Sequence, residues 1–371
     1  MIPHIYTIPL LQLASGDRLS LQVYRFVGAK SGKKVYIQAN LHGAEIAGNA
    51  VIYQLIEFFK NLQTTALVGE VWLVPVCNPL GVNQRSHRFA SGRYCVYEGK
   101  DWNRIFWDYE KNQADLQEFA KSQINLDIDN IKINYLNKII NSFTKLAEKI
   151  HSSSSVPFTE LFRYRLQSLS LDADYVIDLH TSSDLGLNYL FYFSQRESSA
   201  QYFLLEHGIL LDNYDGDAFD EAFIKPWLAL ENALQQLGRE IIFDVEAWTL
   251  ELGSGMQMLP QSVEKGVAGV KNYLRYKGVL ASDQEAIAQK MTFKLRTEVI
   301  KYYAPVGGMV QARIPLGSTV KVKERLYQIL MFNKVGELPC VIDICAEKDG
   351  LVYDVATNHA VNEGEYVLSV M

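Results

Sequence analysis

His42 and Glu45 stand three residues apart in Gln38-Ala39-Asn40-Leu41-His42-Gly43-Ala44-Glu45-Ile46-Ala47-Gly48-Asn49. An apolar, strand-like run, Lys34-Val35-Tyr36-Ile37, leads into this stretch and a helical pattern leaves it. An imidazole and a carboxylate so spaced at a strand end can converge on one small volume and hold a divalent metal, and zinc accepts both ligand types at roughly 2 Å. By itself the pair is better explained as an ordinary structural contact, since His-x-x-Glu arises often by chance. The rest of the chain must supply further ligands, and His180 closes a second apolar run, Tyr175-Val176-Ile177-Asp178-Leu179. Glu251 follows a third, in Trp248-Thr249-Leu250-Glu251-Leu252-Gly253. Two histidines and one glutamate would make a catalytic zinc set with a fourth position left for water. The competing readings are a satisfied core histidine for His180, a structural or supporting role for Asp178, and an ordinary strand-end carboxylate for Glu251, with Glu246 as its nearest rival.

Positioning these groups requires strands in one sheet, because ligands in open α/β sheets collect beyond the carboxyl ends of the strands. The pattern supports such a sheet. Residues 6–26 read as two strands around Ser15-Gly16-Asp17, followed by strand 34–40, helix 45–61 and a continuous apolar strand, Val71 to Cys77, ending at Asn78-Pro79. Strand, helix and buried strand in that order suggest a crossover unit with both faces covered. Strands are also expected at 175–179, 188–194 and 240–245, with helices at about 197–207 and 261–276. Residues 80–108 are irregular and rich in arginine and aromatic side chains, and a long loop of this kind in a compact domain is usually functional. Residues 111–150 are amphipathic and helical, Ser152-Ser153-Ser154-Ser155 breaks them, and a further helix occupies about 157–170.

The resulting organisation is a body over 1–290 with a helical insertion at about 110–170, and a small all-β domain over 291–371. In the latter, Ala304-Pro305-Val306-Gly307-Gly308-Met309-Val310 is loosely echoed by Ala346-Glu347-Lys348-Asp349-Gly350-Leu351-Val352. Such a pseudo-repeat resembles the barrel-sandwich modules of the lipoyl and biotinyl kind. Lys334 lacks the flanking methionines or acidic hairpin of those carriers, so a β cap beside the body is expected rather than a carrier.

Composition narrows the function. At 371 residues the chain is long for one core, and 48% hydrophobic with 21% charged residues is globular. A net charge of −6 with no basic block argues against nucleic acid as the main partner, although a local arginine cluster still permits an anionic small substrate. Cys77, Cys95, Cys340 and Cys345 have no metal-type spacing and read as reduced thiols of a cytoplasmic protein. No basic segment followed by an apolar one opens the chain, so no secretory leader is expected. No apolar run approaches the roughly 20 residues of a membrane span.

These motifs together resemble the zinc carboxypeptidase-like superfamily, and within it the succinylglutamate desuccinylase/aspartoacylase family. The pieces that carry the resemblance are Asn40-Leu41-His42-Gly43-Ala44-Glu45, Asn78-Pro79-Leu80-Gly81, Asp101-Trp102-Asn103-Arg104-Ile105-Phe106, Asp178-Leu179-His180 and Leu250-Glu251-Leu252-Gly253. It implies an α/β fold, a mixed sheet flanked by helices with a small C-terminal barrel-sandwich-like β domain. It implies one zinc per chain on His42, Glu45 and His180, with Glu251 as the base that deprotonates water. Asn103 and Arg104 would engage a substrate carboxylate, and Arg93, with Arg85 and Arg88 as competitors, would polarise the scissile carbonyl. The implied activity is deacylation of an N-acyl amino acid or similar small carboxylate. Metallocarboxypeptidase or esterase action on the same site and a non-catalytic binding role are the alternatives, and homo-oligomers are compatible. Trp102 and the loop Tyr94-Cys95-Val96-Tyr97 depart from the family pattern and bear on which substrate is used.

Overall fold

The structure is a computed structural model and describes residues 1–112, 115–152, 156–332 and 334–371. The serine run expected to break the helical region lies, from residue 153, outside the described residues, as does Asn333 beside Lys334. Among the described residues a nine-stranded mixed sheet forms the body, in the order β1-β2-β4-β3-β5-β9-β7-β8-β10. Its strands are β1 (His4–Gln12), β2 (Arg18–Val27), β3 (Lys30–Ala39), β4 (Val68–Val74), β5 (Tyr175–His180), β7 (Asn188–Tyr192), β8 (His207–Leu210), β9 (Glu246–Leu252) and β10 (Thr292–Leu295). The two-residue strand β6 (Leu185–Gly186) pairs outside this sheet. Strands β4, β3, β5 and β9 run parallel at the centre, and β7 returns antiparallel to β9.

Alternation along the central strands produces the chemistry. In β5, Tyr175, Ile177 and Leu179 enter one apolar core, and in β9 Trp248, Leu250 and Leu252 enter the same core. Side chains of successive strand residues point to opposite faces, so Asp178 and His180, like Thr249 and Glu251, are delivered to the other face. Helices α1 (Ala47–Asn61) and α9 (Pro260–Tyr276) cover the first face. The second carries α8 (Phe219–Gln236) together with α3 (Leu116–Gln123), α4 (Ile128–Thr144) and α6 (Phe158–Ser170). Short turns α2 (Pro79–Asn83), α5 (Leu146–Ile150) and α7 (Glu197–Ala200) connect them.

Three local expectations need correction. No element was expected between 207 and 240, yet α8 fills 219–236; Pro226 inside it interrupts the donor ladder that the helical pattern needs. The helix expected at 197–207 stops where Leu204 adopts a left-handed backbone, φ 57°, and His207–Leu210 is strand β8. The strand expected at 240–245 begins instead at Glu246. Residues 243 and 245 are held by Arg196, whose buried guanidinium pairs with Glu231 at 2.7 Å and donates to both backbone carbonyls at 3.3 Å. That bridge ties α8 to the strand carrying Glu251.

The C-terminal residues form two antiparallel sheets around a separate apolar core. One contains β11 (Ile300–Tyr303), β18 (Tyr366–Val370), β16 (Gly350–Val355) and β13 (Thr319–Val320), and the other β15 (Cys340–Cys345), β14 (Arg325–Met331), β12 (Gly308–Gln311) and β17 (Ala360–Val361). The echoed segments begin β12 and β16, which pair with β14 and β18 respectively.

Candidate metal centre

The turn from β3 into α1 is built by backbone, not by chance proximity. Asn40 sits at φ 71°, a conformation its short polar side chain tolerates, and its buried amide donates to the carbonyls of His42 at 3.1 Å and Gly43 at 3.0 Å. Gly43, Gly81 and Gly92 meet behind this turn so closely that a Cβ on Gly43 would overlap the Gly81 carbonyl. Asn78 donates to the Leu41 carbonyl at 2.7 Å and accepts from Gly81 N–H at 2.9 Å, while Gly43 N–H donates to Gly92 at 3.1 Å. The Asn78-Pro79-Leu80-Gly81 motif therefore acts as the bed of the His42/Glu45 turn and fixes where the loop carrying Arg93 departs.

His42, Glu45 and His180 are all buried, and one donor atom from each lies within 4.8 Å of the others. His42 Nδ1 is 2.9 Å from Glu45 Oε1, and His180 Nδ1 is 2.7 Å from Glu45 Oε2. The outer nitrogens also face carboxylates: His42 Nε2 is hydrogen-bonded to Asp101 at 3.0 Å, and His180 Nε2 lies 2.9 Å from Asp178 as a charge contact without hydrogen-bond alignment. A carboxylate behind each imidazole orients the ring and raises its basicity, the usual support for a metal-binding histidine. Burial opposes the charge of Glu45, but His42 and His180 outweigh it and hold its pKa well below the ordinary carboxylate range. Burial likewise opposes the charge of Asp101, which His42 and Arg93 bring down to about 2. For His180, burial would lower the pKa, and Asp178 and Glu45 overcome it, leaving the imidazole well above its ordinary value. The donor set fits a divalent cation: two inward Nδ1 atoms, one carboxylate between them and anionic support behind.

Glu251 neighbours His180 across the β5–β9 ladder. Its Oε2 is buried with no hydrogen-bond partner among the described residues. Burial first, and then Glu45 and Asp354 against the pull of His180, push its pKa up to about 8. An unsatisfied buried carboxyl oxygen costs free energy, and Glu251 lines a cleft of about 970 Å³ together with His42, Glu45, His180 and Arg93.

The structure separates the three arginines. Arg93 enters the cleft, with Nε 2.9 Å from Asp101 and Nη1 donating to Ser183 Oγ at 3.2 Å and lying 3.8 Å from Glu45. Arg85 and Arg88 are exposed and outside the cleft lining, and Arg85 turns to the carbonyls of Val82 and Gln84. Asn103 and Arg104 both line the cleft. The Asn103 Oδ1 is committed to the Phe219 N–H at 2.8 Å, at the start of α8, so only its Nδ2 end is left to offer the cleft. Trp102, which sequence reasoning connected to substrate choice, is instead a fully buried core residue packed on Phe162 at 5.0 Å and Phe158 at 6.0 Å.

Sequence reasoning missed several groups. Asp101 lay inside a recognised motif without a role. Ser183 donates to Glu45 Oε1 at 3.2 Å and so bridges Glu45 to Arg93, and its signal was only its place three residues after His180. The cleft wall contributed by Arg296, Lys301, Tyr303, Tyr353, Asp354 and Tyr366 had no local signal, because it depends on β6 pairing with β16. Asp220 and Glu221, at the first turn of α8, also reach the cleft.

Glu221 carries a measurable pH signature. Burial, reinforced by Asp220, pushes its pKa up to about 7. A carboxyl whose folded pKa exceeds its unfolded value favours folding while protonated, so that contribution is full below the unfolded pKa and is lost as pH rises through 7. Glu221→Gln should therefore gain stability over the parent at pH 8 and little at pH 4, by on the order of 2 kcal/mol in urea unfolding.

With this geometry established, the comparisons with known proteins place the chain. The model of the succinylglutamate desuccinylase/aspartoacylase catalytic domain matches residues 31–130. A structure from Shewanella amazonensis, assigned to the succinylglutamate desuccinylase/aspartoacylase family, is 32% identical with a TM-score of 0.86, covering 99% of this chain and 98% of its own. One from Shewanella frigidimarina, described in the same terms, is 28% identical with a TM-score of 0.89, covering 100% of this chain and 97% of its own. A succinylglutamate desuccinylase/aspartoacylase from Rhodobacter sphaeroides shares the fold at 17% identity and a TM-score of 0.68, covering 100% of this chain and 94% of its own. Among curated proteins none matches. The fold and the family agree on a hydrolase, and the chain belongs to the succinylglutamate desuccinylase/aspartoacylase family. Among the described residues no helix is long and apolar enough to cross a membrane.

Proposed function

We propose that the protein is a zinc-dependent hydrolase that removes the acyl group from an N-acyl amino acid or a similar small carboxylate. The observation that carries this reading is the Glu45 carboxylate held between two inward-facing Nδ1 atoms beside the unpartnered Glu251 Oε2. His42, Glu45 and His180 would hold the ion. A zinc ion there supplies Lewis acidity that makes water a nucleophile near neutral pH and polarises a carbonyl. Glu251 accepts the proton from the attacking water and returns it to the leaving amine. Burial, with Glu45 and Asp354, raises the pKa of the carboxyl, and positive charge on the neighbouring ligands favours its ionised form. Arg93, fixed by Asp101 and Ser183, presents its guanidinium where negative charge grows on the carbonyl oxygen. Arg104 grips the substrate carboxylate through paired N–H donors, a geometry that lysine does not copy. The four cysteines, all unpaired, suit a cytoplasmic setting.

The test is a panel of N-acetyl and N-succinyl amino acids, short peptides and esters, assayed with zinc and with chelator. N-acyl amino acids should be hydrolysed, chelation should abolish the reaction, and zinc should restore it at about one ion per chain. Release of C-terminal residues from peptides with N-acyl compounds untouched would replace this reading by carboxypeptidase action.

A further inference from the structure

The loop that leaves β5 runs Ser182-Ser183-Asp184 along the cleft, and its side chains face different partners. Ser183 serves the metal-type ligands. Its hydroxyl donates to Glu45 Oε1 at 3.2 Å and accepts from Arg93 Nη1 at 3.2 Å, so a single oxygen couples the carboxylate to the guanidinium. A hydroxyl one bond beyond Cβ goes where its backbone goes. The placement of both charged groups therefore depends on what holds the loop.

The two residues flanking Ser183 turn to the C-terminal strands instead. Ser182 donates to the Asp354 carboxylate on β16 and accepts from the Asp184 N–H at 2.9 Å. The Asp184 carboxylate accepts from the Thr357 N–H at 2.8 Å, in the turn between β16 and β17. That turn is itself braced. Arg313 donates to the Ala356 carbonyl at 2.6 Å and to His359 Nε2 at 3.1 Å, and His359 Nδ1 donates to the Val310 carbonyl at 3.0 Å. On the opposite side the backbone has no slack. Gly255 N–H donates to the Asp184 carbonyl at 2.9 Å, and a Cβ on Gly255 would come within 2.7 Å of the Ser182 and Ser183 carbonyl oxygens.

Resting on the zinc-hydrolase reading, we infer that Asp184 is a positioning residue. Pinned to Thr357, it holds the Ser183 hydroxyl between Glu45 and Arg93, and through that one side chain the C-terminal strands set the geometry of the ion site. A carboxylate that orients a ligand from behind is worth affinity without touching the ion, and a misplaced guanidinium loses its hold on charge that develops at the carbonyl.

A double-mutant cycle on Asp184 and Ser183 tests this, read by the zinc affinity of the metal-free protein and by kcat and KM on the best N-acyl substrate. Asp184→Ala should weaken zinc binding about tenfold and lower kcat about tenfold, the low end of what lost support behind a ligand costs, with KM changed less. Asp184→Asn keeps an oxygen for the Thr357 N–H and should recover most of both. In a Ser183→Ala background the Asp184→Ala change should cost no more than about twofold further, because residues that act through one another do not add. Should Asp184→Ala not fold, Asp184→Ser shortens the same side chain and carries the same cycle. Parental zinc affinity and kcat in Asp184→Ala overturn the assignment. So does an undiminished tenfold loss in the Ser183→Ala background, which makes Asp184 a direct contact of the substrate. A parent that binds no zinc and hydrolyses none of the N-acyl compounds overturns the hydrolase reading itself, and this assignment with it.

Discussion

Glu251→Gln is expected to keep its metal and lose about 10²–10⁴ in kcat, the range over which a positioned general acid–base group acts. The amide is nearly isosteric with the carboxyl, so the β5–β9 ladder that places it beside His180 is undisturbed. None of the three clustered donor residues is touched. The substitution removes the only thing glutamine cannot do, which is to accept a proton and give it back. Burial also makes the replacement structurally mild, since Glu251 Oε2 has no hydrogen bond to lose. Metal content by elemental analysis and kcat on the best N-acyl substrate form the readout. Full turnover with metal retained would take the base role from Glu251. Glu246, its rival by sequence, does not step in: its oxygens are engaged by Ser199, Tyr273 and Lys277 at 2.7–2.8 Å on the far side of the strand alternation.

The part of this site that could be read from sequence is the part that alternation and strand ends encode. An apolar run with a polar side chain at or beside its end says both that a strand is buried and that this side chain leaves the core, as His180 does at the end of β5 and Glu251 does one residue before the end of β9. The mixed α/β body and the antiparallel C-terminal strands were legible for the same reason, since period and turn residues are local signals. Long-range pairing is not local. Nothing in residues 350–355 announces that Asp354 pairs opposite Gly186 and reaches the cleft, or that Thr357 N–H donates to Asp184 at 2.8 Å. Trp102 misled in the opposite sense, because an aromatic residue inside a functional motif looks like a contact for substrate when it is the plug that docks the loop on α6. Helix α8 escaped because Pro226 breaks its pattern. With α8 went Asp220 and Glu221, two of the carboxyls that line the cleft.

The C-terminal strands bear on the site through the loop that follows His180. Ser182 N–H donates to Gly253 at 2.9 Å, Gly255 N–H donates to Asp184 at 2.9 Å, and Leu187 N–H donates to Tyr353 at 2.9 Å. The loop is thus stitched to the end of β9 on one side and to β16 on the other. Ser183, which links Arg93 to Glu45, inherits its position from both. Positioning within a fraction of an ångström matters for a group meant to meet charge in a transition state.

His42→Ala should remove metal binding altogether, and turnover with it. Only Glu45 and His180 would remain of the clustered donors, and a carboxylate with one imidazole falls short of the three protein ligands of catalytic zinc sites. The chain should still fold. Glu45, although buried, keeps His180 at 2.7 Å and Ser183 at 3.2 Å, and Asp101 keeps Arg93 at 2.9 Å. This makes the variant a clean probe, read by thermal unfolding with and without added zinc. A ligand that binds only the folded state raises stability by RT ln(1 + [L]/Kd), about 2.7 kcal/mol at a hundredfold excess over Kd. The parent should melt several degrees higher with zinc than with chelator, and His42→Ala should show no difference. Its circular dichroism should match that of the metal-free parent. A zinc-dependent rise that survives in His42→Ala would mean that the ion sits elsewhere in the molecule. The carboxylate between two imidazoles would then be an ordinary buried ion pair, and neither Glu251 nor Arg93 would have a reaction to serve.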